Sequence, residues 1–238
     1  MFRRKLILLA LAATLPAAPA AFAAVEKIRS HFDSDAPMRA PGFFDFAVLG
    51  NTGPAQWKVF ADFNPPSAPN QVTQTVLDRP VDSVAAALRR NAQLRDGKVS
   101  VGMRHGTGQG GLVIRMAGEK DFLLLLVNLE TGESLLSSYT EGKPRELARG
   151  RVKAEREWGT LSVEASGPRI LAQWDGKALF EASDPRPVSG RVGIATAGPG
   201  AVARFQRDAQ LIRITQAGFP VGLLLANLAF LVSVPLGD

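Results

Sequence analysis

Cysteine is absent from these 238 residues, which excludes disulfides, zinc–thiolate sites, thiol nucleophiles and thiol redox centres together. A chain without cross-links is held by its core, and one of this length can bury enough apolar surface for that. Histidine is scarce as well. His31 and His105 are the only two, so a multi-histidine metal centre cannot be built and zinc-hydrolase chemistry is set aside. The charge excess is modest. The formal net charge is +6, and Arg3, Arg4 and Lys5 lie in a segment expected to be removed, leaving about +3. That balance is too mild to argue for a nucleic-acid partner. Internal repeats and low-complexity linkers are missing too.

The two ends are apolar for different reasons. Residues 1–23 read as a signal peptide: a basic start, an apolar core from Leu6 to Leu15, and the small residues of Ala21-Phe22-Ala23 before a cleavage expected ahead of Ala24. The apolar core is shorter than the ~20 residues that span a bilayer. With no cysteine after it, a lipoprotein is excluded, and a periplasmic or otherwise exported protein is expected. At the other end, residues 217–238 form an apolar tail. Its stretch Phe219–Leu236 carries no charge and would cover about 27 Å as a helix, close to a bilayer's hydrocarbon thickness. Pro220 suits a helix start and Pro235 a stop, whereas Gly222 and Asn227 weaken the span. A membrane anchor and a tail packed on the domain or on a partner both fit.

Between the ends, short apolar stretches alternate with turn dipeptides: Asp96-Gly97, Thr131-Gly132, Glu141-Gly142, Ser166-Gly167, Asp175-Gly176 and Ser189-Gly190. Glycine accepts the positive φ that tight antiparallel turns require. The rhythm predicts an all-β, two-sheet antiparallel sandwich or jelly roll over 24–216. Strands are expected at 57–62, 71–77, 83–90, 98–104, 111–116, 122–128, 134–140, 159–165, 169–174, 177–182, 190–196, 201–206 and 209–214. The segment 83–90 (SVAAALRR) suits a short helix equally well. Residues 24–56 read as an irregular entry segment with few strands, and the prolines of 64–70 cannot sit in a central strand. Phe122–Val127 is apolar at every position, which predicts a strand covered on both faces. The mixed charges from Arg145 to Glu157 predict a solvated edge.

Several segments resemble a known group: LRDGKVSV (94–101), GGLVIRM (110–116), KDFLLLLVN (120–128), EGKPRELA (141–148), WGTLSVEASG (158–167), WDGKALFEASD (174–184) and SGRVGIATAG (189–198), with PPSAPNQVTQT (65–75) upstream. They resemble exported bacterial domains with a laminin-G-like, concanavalin A-like jelly roll, related to keto-glycoside hydrolase-like domains. The resemblance implies a lectin-like sandwich over most of the chain outside the tail. Where relatives carry two tyrosines and an arginine, this chain has Phe122, Leu123 and Leu126, with Asn128 retained. The segment 197–211 is also less acidic and less polar than in relatives. The replacement of polar donors by hydrocarbon fits an apolar ligand, a protein partner or a membrane.

The candidate chemistry is sparse. Sandwich glucanases place carboxylates on alternate positions of one strand, about 5–5.5 Å apart. Glu119 and Asp121 begin such a series, but Leu123 stands in the third place, so they read as turn and edge residues. The glycines of 106–111 suggest a phosphate loop but lack the Lys-Ser/Thr and the helix that would follow. Asp33 and Asp35, with Asp208, could offer oxygens to Ca²⁺, which needs about six to eight; an Asx turn explains the pair as well. Strand parity places Arg104 and Arg115, with Asn128, on the open face of one sheet, where guanidinium forks grip sugar hydroxyls or carboxylates. Trp174 is the tryptophan expected at the surface. The reading is a binding module holding a glycan or other envelope ligand without chemistry. A glycosidase or lyase acting on modified sugars, and an anchored envelope scaffold, are the alternatives.

Overall fold

The computed structural model describes residues 24–30, 32, 34–50, 55–61, 70–104 and 106–215. They form fifteen β-strands, and no helix occurs among the described residues. In chain order these are β1 (Ala24–Ser30), β2 (Phe44–Gly50), β3 (Trp57–Ala61), β4 (Asn70–Gln74), β5 (Ser83–Leu94), β6 (Gly97–Arg104), β7 (Gln109–Gly118), β8 (Asp121–Asn128), β9 (Glu133–Thr140), β10 (Lys143–Arg151), β11 (Trp158–Ser166), β12 (Arg169–Trp174), β13 (Lys177–Ser183), β14 (Gly190–Ala197) and β15 (Arg204–Thr215). The first sheet runs β13-β12-β11-β6-β15-β4-β3, with β1 beside β15, and the second runs β10-β9-β8-β7-β14-β5-β2. This is the expected all-β jelly-roll sandwich. The segments proposed as signal peptide and apolar tail, 1–23 and 217–238, lie outside the described residues.

Period-two burial builds the core. Along β6, Val99, Val101 and Met103 are buried while Lys98, Ser100, Gly102 and Arg104 are half-exposed. Leu161 and Val163 of β11 stand directly across from Val101 and Val99, so hydrophobic side chains meet on one face. Between the sheets they pack against Leu112, Ile114, Leu123 and Leu125 from the second sheet. Trp57 and Phe205 meet there at 6.0 Å between ring centroids. Strand β8 is buried at every position from Phe122 to Val127, as its uninterrupted apolar run predicts. Leu123, Leu125 and Val127 face the inter-sheet core, whereas Phe122, Leu124 and Leu126 join a second cluster with Val113, Leu88 and Leu49. Every member of that second cluster sits on a strand of the second sheet, on its outer side.

Sheet pairing decides the remaining elements. Residues 83–94 form one long strand, because β5 lies between β14 and β2 and both neighbours supply hydrogen-bond partners. Sheet context outweighs the helix propensity of its alanines. The entry segment 24–56, expected to hold few strands, contributes β1 and β2. The mixed-charge run contains β10, an edge strand with mostly exposed side chains, in keeping with the expected solvated edge. The segments 201–206 and 209–214 contribute to a single strand, β15, whose pairing with β6 shifts register between Gln206 and Gln210.

Candidate functional site

The residues singled out for a binding face do not share one. Arg104 lies on β6 in the first sheet, whereas Arg115 and Asn128 lie on β7 and β8 in the second. Consecutive strands β6 and β7 cross from one sheet to the other, so parity along each strand cannot place both arginines on one surface. Arg115 departs further. It sits in a bulge between Ile114 and Gly118 with φ 51°, which breaks the alternation. Met116 therefore joins the outer cluster rather than the core. The Arg115 side chain is only 1% exposed. Its Nη1 donates to Asp184 Oδ2 at 2.7 Å, Nε and Nη2 donate to Arg95 O at 3.1 and 2.6 Å, and Nη2 also reaches Gly167 O at 2.7 Å. Arg115 is thus a tie between a bulge of one sheet and the turns of the other.

The remaining expectations sort similarly. Arg104 donates through Nε and Nη2 to Glu157 Oε1, and its guanidinium lies 5.8 Å from the Trp158 ring centroid. Asn128 Oδ1 accepts from the backbone N–H groups of Glu130 and Thr131 at 2.9 and 3.1 Å, the geometry of an Asx turn. Trp174 is 4% exposed and buried in the core, which corrects its expected surface position. Its register partner is Leu161, so strand alternation directs both inward. Glu119 is an exposed residue of the β7–β8 turn. Asp121 Oδ1 accepts from Glu141 N at 3.3 Å and from Arg186 Nη1 at 3.4 Å. Of the calcium candidates, Asp35 Oδ1 accepts from Gly42 N at 3.0 Å, while Asp33 and the Asp208 side chain lie outside the described residues. The glycine-rich loop packs on residues 200–203: a Cβ on Gly106 would stand 1.9 Å from Val202 O, and Thr107 Oγ1 donates to Gly200 O at 2.7 Å.

Among the described residues, two sizeable clefts are lined by polar side chains. The first, about 220 Å³, brings Arg115 and Asp121 together with Phe122, Asp184 and Arg186. Phe122 stacks on Tyr139 at 4.3 Å between centroids. Burial raises the Tyr139 phenol above its ordinary pKa, and the nearby charge of Asp82 adds to this. The charged groups of this cleft are engaged with one another. Asp184 receives Arg115 and the Arg186 N–H, while Arg186 reaches Asp121, Tyr139 O and, at 2.6 Å, Thr140 Oγ1.

The second cleft, about 310 Å³, opens where β3, β4 and β15 adjoin and is lined by Phe60, Gln71, Thr73, Gln74, Leu77 and Arg204 among others. Gln71, Thr73 and Gln74 are all more than nine-tenths buried, Gln74 completely. Yet, among the described residues, Gln71 Oε1, Thr73 Oγ1, and both Oε1 and Nε2 of Gln74 have no hydrogen-bond partner. A buried polar group left unsatisfied costs about 1–3 kcal/mol, so such groups are rare unless something else engages them. By contrast, Asn70 on the same strand donates to Phe32 O at 2.8 Å and holds the preceding segment in place. Register explains the arrangement. Val72 faces the core opposite Val59 and Phe205, and Gln74 shares its parity opposite Trp57, whereas Gln71 and Thr73 face outward, Thr73 between Lys58 and Arg204. None of these residues was among the expected site. The available signal was Asn70-Gln71-Val72-Thr73-Gln74 itself, a strand polar on both parities where only one outward face needs polarity.

No family profile matches the chain, and no curated protein is similar to it. Among solved structures, it is similar to the carbohydrate-binding module CBM66 from Bacillus subtilis, at 18% identity over 65% of this chain and 94% of that one, with a TM-score of 0.49. A Bacillus subtilis protein of unknown function with a galectin-like fold is similar at 12% identity over 71% and 88%, with a TM-score of 0.48. A prokaryotic β-1,3-1,4-glucanase (lichenase) derived from a mouse hindgut metagenome is similar at 13% identity over 78% and 97%, also with a TM-score of 0.48. These likenesses stop at the sandwich architecture; what those proteins bind or cleave is their own.

Proposed function

We propose that this chain is an exported, non-catalytic binding module whose ligand is a hydroxyl-rich molecule, a glycan, held in the β3–β4–β15 cleft. The observation that carries the reading is the pair of unpartnered atoms, Gln71 Oε1 and Thr73 Oγ1, on the outward parity of β4. An amide presents a donor and an acceptor, and a hydroxyl does both, which is the complement of vicinal sugar hydroxyls. Phe60 and Leu77 add apolar surface for the C–H face of a ring. The volume stands at the lower end of small-ligand sites, about 300–1,000 Å³, and suits one or two sugar rings. The segments quoted from the sequence, which resemble exported laminin-G-like domains, support this reading.

Thermal-shift and calorimetric screening of the purified full chain against an oligosaccharide panel tests it. A bound sugar raises the melting temperature of the wild type. Gln71→Met and Thr73→Val each remove an unsatisfied buried group, so each stabilises the unliganded chain by roughly 1 kcal/mol while abolishing the ligand-induced shift. A shift that persists in the double variant refutes the site.

A further inference from the structure

We infer that the glycan in this cleft is acidic, a sugar bearing an anionic substituent; the inference rests on the reading above and names its ligand class. It comes from a row of side chains crossing the first sheet. Lys58 of β3 pairs in register with Thr73 of β4, Thr73 with Arg204 of β15, Arg204 with Arg104 of β6, and Arg104 with Trp158 of β11. Adjacent strands lie ~4.8 Å apart, so these five residues form one line across the sheet. The core-facing neighbours along the same strands are Val59, Val72, Phe205 and Met103, so by alternation the line lies on the outer surface.

The charges on this line do not cancel. Arg104 is paired with Glu157. Arg204, which lines the cleft, and Lys58, one strand beyond Thr73, are both half-exposed, and among the described residues neither has a hydrogen-bond or ion-pair partner. A ligand that satisfies Thr73 and Gln71 therefore lies beside a guanidinium with its fork open. Guanidinium forks bind carboxylates and other oxyanions in a bidentate manner, and a sugar substituent of that kind converts a neutral contact into a charge-assisted one. A single-stranded nucleic acid is disfavoured as the polyanion. Such binding stacks successive bases on a series of open aromatic platforms; the cleft offers Phe60, and Trp158, the one aromatic on the line, already carries the Arg104 guanidinium over its ring.

The test is calorimetry on the purified full chain with four probes of matched length: oligogalacturonate, sulfated dextran oligomers, neutral galacto-oligosaccharide and oligo-dT. The expected result is that one acidic sugar series binds about tenfold or more tighter than the neutral one, the worth of a charge-assisted hydrogen bond, with affinity falling as salt rises. The tighter acidic series tells carboxylate from sulfate. Arg204→Gln brings the acidic-to-neutral ratio close to one, and Lys58→Gln lowers it by a smaller factor. Equal affinity for acidic and neutral sugars overturns the inference and leaves the glycan reading standing, as does a ratio unmoved by Arg204→Gln. Oligo-dT binding as tight as the acidic sugars also overturns it, since the row then serves polyanions in general. Binding of no sugar at all refutes the parent reading as well.

Discussion

Removing the Arg115 guanidinium should be strongly destabilising, although the residue looks from the sequence like a ligand contact. Arg115→Met keeps much of the side-chain volume but deletes four hydrogen bonds to Asp184, Arg95 and Gly167. It leaves the Asp184 carboxylate, 3% exposed, without its guanidinium. Breaking a buried pair by removing one partner costs about 3–5 kcal/mol, most of it the uncompensated charge left behind. For a domain of this size each kcal/mol corresponds to roughly 2–4 °C, so the melting temperature should fall by roughly 6–20 °C. Replacing both partners by apolar residues, as in Arg115→Met with Asp184→Leu, removes the stranded charge and should recover much of the loss. Equilibrium urea unfolding of the wild type, the two single variants and the double variant measures the coupling. A loss under about 1 kcal/mol for Arg115→Met, or strictly additive losses in the double variant, would refute this account. The folded Arg115→Met protein should bind its sugar as the wild type does, because the tie lies outside the β3–β4–β15 cleft.

Two further outcomes follow from packing and charge. A Cβ on Gly159 would lie 2.2 Å from Trp174 Cζ2, so Gly159→Ala should destabilise by about 1–3 kcal/mol and shift the tryptophan emission as the ring is displaced; an unchanged spectrum and midpoint would show that the ring yields freely. Hydrogen bonding to Arg90, with Arg191 contributing, holds Asp45 below its ordinary pKa, and Arg149 and Arg169 do the same for Glu146 and Glu181. Because these folded-state values are depressed, the three pairs contribute stability above the unfolded carboxylate range near ~4 and lose it as pH falls through the folded values. The denaturation midpoint should therefore drop on acidification below about pH 4.5, with a shallower slope in Asp45→Asn; an identical slope would mean that pair contributes nothing.

What the sequence alone determined is local. Alternation in β6 and β11, the unbroken apolar run of β8 and the glycine turns specify strands, their faces and a two-layer sandwich, because each depends on neighbours two residues away. Tertiary structure decided which strands share a sheet and what each polar atom meets. The crossing from β6 to β7 separated Arg104 from Arg115, and one bulge turned Arg115 from a surface contact into a buried tie. The register of Trp174 against Leu161 drew it into the core. The cleft residues Gln71, Thr73 and Gln74 carry no motif. Their unmet hydrogen bonds arise only when β3 and β15 close around β4, since satisfaction depends on every group within about 3 Å and chain order does not record that distance.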